Sequence, residues 1–402
     1  MQNIIIISNF PDVLNGKQDM RFTYLANLFA AKGYDVEMII SDFDHEVKDV
    51  RKRDDYSQYK FKITVLHEPI YSRNVSLKRL YAHYKWGQNV GDYLHKLEKK
   101  PDVVYCAMPS LTAALAAANY CKANHIKFTV DLQDLWPEAF VMAVRNSLLQ
   151  KLFLPMKWYV DKVYASADLA VAVSNTYVER ILSVNNIISS GISVFLGNDG
   201  AAFDEGRSKY HLERSDDEIV IAYVGNMSTS YDMPCVFDAL AKVQKRGNVK
   251  QSIRFVLIGG GVDEDQFREY AQNTYTNTQF FGKKSYQEMA GMLCDCDIVV
   301  NPIVKGSVAS IINKVGDYAL AGKPVINTQE SYEYRQLVEK YMCGINCNCG
   351  DSDDVADAIE KLALDPELRK LMGTNARRLG KEKFDRRNTY PQIVSEIERL
   401  AQ

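Results

Sequence analysis

The chain has 402 residues, of which 47% are apolar and 25% charged, with a formal net charge of −2. Bulk disorder and a collagen-like repeat are excluded, and the length exceeds one comfortable core, so two domains are expected. The longest strongly apolar stretches, residues 4–7 and 111–118, fall far short of the roughly 18–20 residues that a membrane-spanning helix needs. Met1-Gln2-Asn3 offers no basic n-region and no cleavage site follows, so a cytoplasmic chain is expected. The eight cysteines are expected as packed thiols. Cys343, Cys347 and Cys349 lack the second pair that a zinc site uses, so no metal is expected there; Cys347 and Cys349 read as neighbours on one face of a short strand.

In chain order, residues 4–8 read as a buried strand, 9–19 as a loop, and Phe22, Leu25, Ala26 and Phe29 as one face of a helix ended by Gly33. A second strand follows over 34–40. Residues 51–100 then hold twelve Lys/Arg against five Asp/Glu, an excess of seven that leaves the rest of the chain at −9. A basic footprint confined to one segment is not that of a nucleic-acid binder. In it, Arg73, Lys78, Arg79 and Lys85 are interleaved with aromatics including Trp86. That composition suits contact with anionic headgroups, and suits equally a solvated helix with a buried aromatic face.

Strands over 102–107, 126–130 and 169–173 alternate with helices over 111–122 and 148–167, the pattern of a parallel sheet covered on both faces. After an apolar run at 192–196, residues 197–217 have few apolar runs and read as a linker. A second series follows: strands over 219–224, 253–258, 278–281 and 298–300, helices starting near Pro234 and Asp263 and through Met289, and further units to residue 364. The expectation is α/β with two doubly wound Rossmann-like domains, residues 1–196 and 197–385, and a ligand cleft at the carboxyl ends of their strands.

Gly225-Asn226 and Gly259-Gly260-Gly261 close successive strands of the second series, where glycine permits backbone N–H groups to approach an anion. Neither turn is a full G-x-G-x-x-G after a first strand and no P-loop sequence is present, which disfavours a dehydrogenase or an NTPase. In residues 310–326, Asn313 reads as a helix cap, and Lys314 and Asp317 share a helical face near its start. A cation and a carboxylate so placed suit a phosphate and a sugar hydroxyl, and suit equally a surface ion pair.

Residues 310–326 resemble the S-x-P-x-K-x-x-E-Y-x-A-A-G-K-P-V-I run of the family-four retaining glycosyltransferases of the GT-B fold. Asp134-Leu135-Trp136-Pro137-Glu138 resembles the D-L-W-P-E signature of a bacterial branch that builds capsule, O-antigen and exopolysaccharide units. Tyr223-Val224-Gly225-Asn226, Phe280-Phe281-Gly282 and Asp297-Ile298-Val299-Val300 are similar to further family motifs, and the likeness spans almost the whole chain. It implies two domains facing across a cleft, an acceptor-binding first and a donor-binding second, with residues 386–402 returning to the first. It implies transfer of a hexosyl or N-acetylhexosaminyl group from a nucleotide diphosphate sugar, UDP-linked by expectation. The acceptor would be a saccharide, carried on a polyprenyl diphosphate at the inner membrane leaflet, with the protein peripheral there and no metal or other cofactor required.

Residue by residue, the resemblance puts the nucleotide ribose on Asp317, where the family has the longer Glu, and the base beside Gly282 and Lys283. The diphosphate falls to Lys314, Ser310 and the N–H groups around 306–310, with Lys305 in support. Gly16 occupies the family's glycine-containing loop, Gly225 and Asn226 its G-N turn, and Asp134 the acceptor or sugar ring. Asp134 reads otherwise as a helix cap. Ala309 stands where many relatives have a Glu, and the residues after Asn226 lack the relatives' phosphate-binding cations. Lys314 and Asp134 are the expected catalytic pair; Arg73, Lys78, Arg79, Lys85 and Trp86 are the expected membrane or acceptor patch. Two rival readings are a non-hydrolysing nucleotide-sugar epimerase, weakened because four of six histidines lie in the 45–95 region, and a catalytically silent nucleotide-sugar-binding partner.

Overall fold

The computed structural model describes residues 2–9, 20–45, 47–51, 56–73, 76–138, 154–306 and 311–402. The chain divides into two compact units, residues 1–195 with 390–402, and residues 196–389. Each is an α/β unit built on a parallel sheet.

The first unit runs β1 (Asn3–Ser8), α1 (Arg21–Ala31), β2 (Asp35–Ser41), β3 (Phe43–Asp44), β4 (Asp49–Val50), β5 (Lys62–Leu66), α2 (Leu77–His95), β6 (Val103–Met108), α3 (Leu111–Asn124), β7 (Lys127–Leu132), α4 (Leu154–Ala165), β8 (Leu169–Ala172), α5 (Asn175–Leu182) and β9 (Ile192–Ser193). The sheet order is β5-β2-β1-β6-β7-β8-β9, all parallel, with β3 and β4 as a separate antiparallel ladder. Ile4, Ile6, Val103 and Tyr105 of the central strands pack with Phe22, Leu25 and Phe29 of α1. Such continuous apolar runs belong to strands buried on both faces.

The second unit runs α6 (Gly200–Lys209), β10 (Glu218–Asn226), α7 (Met233–Arg246), β11 (Ser252–Gly260), α8 (Glu264–Thr274), β12 (Thr278–Phe280), α9 (Tyr286–Cys294), β13 (Ile298–Asn301), α10 (Lys314–Ala321), β14 (Val325–Asn327), α11 (Tyr332–Tyr341), β15 (Gly344–Asn346), α12 (Ser352–Leu364) and α13 (Pro366–Leu379). Its sheet order is β12-β11-β10-β13-β14-β15. After a π-helical turn, Gly380–Phe384, the last helix α14 (Arg386–Leu400) buries Tyr390, Ile393, Val394 and Ile397 in the core of the first unit.

Three local readings change. The expected linker contains a helix: Asp199 caps α6 by accepting from the amides of Ala201 and Ala202. Its few apolar residues suffice because Phe203 and Gly206 turn inward, so burial rather than composition made the helix. Cys347 and Cys349 lie beyond the end of β15, not within it. Asn313 has helical backbone and makes no side-chain cap bond to α10.

A buried ion pair ties the first unit together. Arg21 Nε lies 2.6 Å from Asp131 Oδ2 and Arg21 Nη2 3.1 Å from Oδ1, both residues nearly inaccessible. Tyr105 donates to the same carboxylate at 2.5 Å, and Arg21 also donates to the carbonyl of Val194 at 2.9 Å. Its guanidinium rests against the Tyr390 ring at 5.2 Å, so helices α1 and α14, strands β6 and β7 and the segment after β9 share one charged group.

Candidate functional site

In the second unit, the expected donor residues gather at the carboxyl ends of β10 and β11 and the start of α10. Lys314 opens α10 and is buried. Its Nζ donates to Tyr223 OH at 2.7 Å, and Tyr223 OH donates in turn to the carbonyl of Asn226 at 2.5 Å. The ammonium lies 3.9 Å from the Tyr223 ring centroid and 3.7 Å from that of Tyr231. Among the described residues no carboxylate pairs with it. Burial therefore pulls its pKa well below the ordinary lysine value, with no acidic group among the described residues to restore it.

Gly225 has φ of +132°, and a Cβ there would stand 2.8 Å from Lys314 Nζ. Glycine is needed both for the backbone conformation and for the space that the ammonium occupies. Asn226 is exposed beyond it. Gly282, at φ +66°, accepts from the amide of Gly259 at 2.9 Å, which draws the turn after β12 onto the end of β11. Lys283 is exposed, with its stem 3.6 Å from the place where a Gly260 Cβ would sit.

Asp317 lies one turn after Lys314, but the two do not form the ion pair that the spacing allowed. Its Oδ1 accepts from Asn198 Nδ2 at 2.7 Å and from Tyr286 OH at 2.9 Å. Burial pushes the carboxyl up to about 7, against the pull of Tyr286, Arg386 and Asn198. Gly16 and Ser310, both expected at the donor site, lie outside the described residues, as does Ala309. Lys305 is exposed, and the amide of Gly306 donates to Glu330 Oε2 at 3.0 Å.

In the first unit, a second polar cluster forms where β1, β2, β5 and β7 end. Arg79 on α2 lies 4.6 Å from the Trp136 ring centroid and 5.7 Å from that of Tyr71. Its Nε donates to His83 Nε2 at 3.2 Å, which requires the neutral tautomer with the proton on Nδ1. Burial and the nearby Arg79 charge pull His83 down to about 3, and burial with the Lys48 and Arg79 charges pulls His45 down to about 4. Asp134 is exposed at the rim; partial desolvation raises its carboxyl and Arg79 lowers it. Glu68 is fully buried, and among the described residues no donor reaches either carboxylate oxygen in hydrogen-bonding geometry. Burial pushes it up to about 7 against the weaker influence of Ser41 and Arg79.

The basic segment splits between two environments. Arg73 and Lys78 are exposed and Lys85 half-buried, while Arg79 turns toward the cluster. Trp86, expected in the surface patch, is 0% exposed and is corrected to a core residue. With Ala82, His83 and Val90 it forms the inward stripe of α2. The outward stripe is Leu77, Leu80, Tyr81 and Tyr84, respectively 84%, 50%, 55% and 50% exposed.

Glu138, last of the D-L-W-P-E residues, is bound by Arg180 Nε at 2.6 Å, and Arg180 also holds Asp161 at 2.5 Å. That residue braces the fold. Sequence reasoning missed Tyr231, Tyr286, Asn198, Glu68 and His83. Only their folded neighbours mark them, although Tyr223 was visible in the Y-x-G-N run.

Two family models match the chain. The model described as Glycosyltransferase Family 4 matches residues 20–195, and that described as Glycosyl transferases group 1 matches residues 205–379. A glycosyltransferase of Methanocaldococcus jannaschii that is itself uncharacterised is 22% identical over 253 residues, 61% of this chain and 63% of that protein. The chain thus spans under two thirds of that relative's length. Among solved structures, a sucrose-phosphate synthase from Thermosynechococcus elongatus superposes with a TM-score of 0.75 at 17% identity, covering 100% of this chain and 99% of that one. HepE of Anabaena in complex with UDP gives a TM-score of 0.65 at 16% identity, covering 99% and 100%. Both share the fold of two α/β Rossmann-like domains with parallel sheets.

Proposed function

We propose that this glycosyltransferase, with a family-4 domain followed by a group 1 domain, moves a sugar from a UDP-linked donor to a lipid-linked saccharide with retention of anomeric configuration. The observation that carries the reading is Lys314, a buried ammonium held by two tyrosine rings against Gly225, without an acidic partner among the described residues. A leaving nucleoside diphosphate supplies the missing negative charge. Lys314 and the positive end of α10 stabilise charge that builds on the departing phosphate oxygen, an electrostatic contribution that needs no reorganisation during reaction. Asp317 takes the ribose, and the turn at Gly282 and Lys283 adjoins the base. Because the cation comes from the protein, activity is expected to persist in chelator.

The acceptor belongs with the first unit. Arg79, fixed by Trp136 and His83, and Asp134 beside it offer a cation and a carboxylate to acceptor hydroxyls or phosphate. On α2, the exposed Leu77, Leu80, Tyr81 and Tyr84 with Lys78 and Lys85 suit insertion at an anionic leaflet, where each nearby cation adds about 1 kcal/mol. The proposed setting is surface-polysaccharide synthesis at the inner face of a bacterial membrane.

A panel of nucleotide sugars, read by free nucleoside diphosphate with and without chelator, tests the reaction. Release that survives chelator is expected. Donor isomerisation without release would replace the reading by an epimerase, and binding without turnover by a silent partner. Flotation with anionic and neutral vesicles tests the membrane contact; equal recovery from both would remove it.

A further inference from the structure

Asp317 is shorter by one methylene than the glutamate its position resembles, and its surroundings are unequal at its two oxygens. Oδ1 receives both Asn198 Nδ2, at 2.7 Å, and Tyr286 OH, at 2.9 Å. Among the described residues Oδ2 accepts no hydrogen bond, and it is not one of the fully buried, unsatisfied atoms. A carboxylate accepts through both oxygens, so Oδ2 is the one left for a ligand.

The two donors are themselves fixed. Asn198 is bracketed by its own backbone, whose amide donates to the Phe384 carbonyl at 2.7 Å and whose carbonyl accepts from the Arg386 amide at 3.1 Å. Gly316 leaves the room for the Asn198 side chain to lie against α10. Tyr286 opens α9, whose start is held by a capping box between Ser285 and Glu288, and its ring meets Phe203 edge-on at 6.2 Å. Neither donor belongs to the motif that suggested Asp317.

We infer that Asn198 and Tyr286 are positioning residues that occupy Oδ1 of Asp317 and present Oδ2 alone to the nucleotide, so that one ribose hydroxyl is gripped and the other is nearly ignored. The inference rests on the reading of Asp317 as the ribose site. It sets the donor specificity of the chain: a nucleoside diphosphate with one ribose hydroxyl removed is tolerated, and its isomer is rejected. Tyr286 has a second effect. Its hydroxyl favours the ionised carboxylate, the form that accepts from a ribose hydroxyl, and the other groups acting on Asp317 are the Arg386 cation, Asn198 and the nearby Tyr318.

Calorimetric titration of the full chain with UDP and its 2′-deoxy and 3′-deoxy analogues tests the asymmetry. A hydrogen bond to a charged group predicts a loss of about tenfold or more for one analogue and under about threefold for the other. Equal losses for the two analogues would overturn the inference. Tyr286→Phe should weaken UDP binding near pH 7 and recover most of the wild-type affinity near pH 9, whereas a merely structural role gives a loss independent of pH and also overturns it. Asp317→Asn separates the ribose contact from the positioning of its oxygens. If UDP fails to bind the wild type, or binds Asp317→Asn equally well, the ribose reading itself falls and takes the inference with it. If Asp317→Asn weakens binding but the analogues lose equally, only the positioning claim falls.

Discussion

Replacing Lys314 by Met should move nucleotide affinity and protein stability in opposite directions. Methionine keeps the length and most of the volume of the lysine stem between Tyr223 and Tyr231, but removes the charge. Removing one partner of a desolvated charge pair costs about 2–5 kcal/mol, so UDP affinity should fall by at least about 30-fold. Uridine, which has no phosphate, should bind Lys314→Met and wild type within about twofold of each other. Stability responds otherwise. In the free protein the ammonium is buried without a carboxylate among the described residues, and its lowered pKa means that the tyrosine cage does not offset its desolvation. The variant's Tm should therefore match or exceed that of the wild type at pH 7.

The pH dependence carries a sign. With the folded pKa below that of the unfolded chain, the unfolded state binds more protons between the two values, so wild-type stability rises with pH over that window. The variant lacks this slope, and the two melting curves should converge as pH approaches about 10.4. Calorimetric titration and scanning fluorimetry measure both effects. Equal loss of UDP and uridine affinity would refute a phosphate role, and a variant that is less stable at pH 7 would refute the account of an uncompensated buried cation.

Other substitutions test other parts of the chain. Gly225→Ala forces a Cβ to 2.8 Å from Lys314 Nζ at a φ of +132°, so UDP affinity should fall with Lys314 intact, and unchanged affinity would count against the close approach. Asp131→Asn leaves Arg21 buried without its counter-charge, a loss of about 3–5 kcal/mol, which for a unit of this size lowers Tm by roughly 6–20 °C. A drop below about 3 °C would show that the Tyr105 and carbonyl contacts suffice alone. Glu68 is raised from 4.5 to about 7, so its stabilising contribution is present below its unfolded pKa and is lost as pH rises through the folded value. Glu68→Gln should flatten that loss, of order 3 kcal/mol, in urea titrations at pH 4.5 and pH 8; parallel curves would refute the assignment.

Much of the architecture was legible along the chain because parallel strands buried on both faces are written as short apolar runs. Ile4–Ile7 and the run that becomes β10 needed no partner to be recognised. Helix α6 was hidden because its residues are mostly polar and only Phe203, Gly200 and Gly206 turn inward. The composition of the basic segment does not give the rotation of a helix. Whether Trp86 meets lipid or core depends on which stripe of α2 faces α3, and the fold chose the stripe with Ala82 and Val90.

The site divides the same way. Lys314, Asp317 and Gly225 stand in motifs that are local in sequence, and the chain alone placed them at the start of a helix and the end of a strand. Their chemistry was decided by groups far away in sequence. Tyr223 and Tyr231 make Lys314 a buried cation, Asn198 and Tyr286 take one oxygen of Asp317, and burial raises its carboxyl to about 7 against their pull. Charge by residue type is a property of sequence, but desolvation and partnership depend on what the fold brings within a few ångströms. The net charge of −2 gave no sign of a lysine caged by aromatic rings, because burial and not the count of charges sets what such a group can bind.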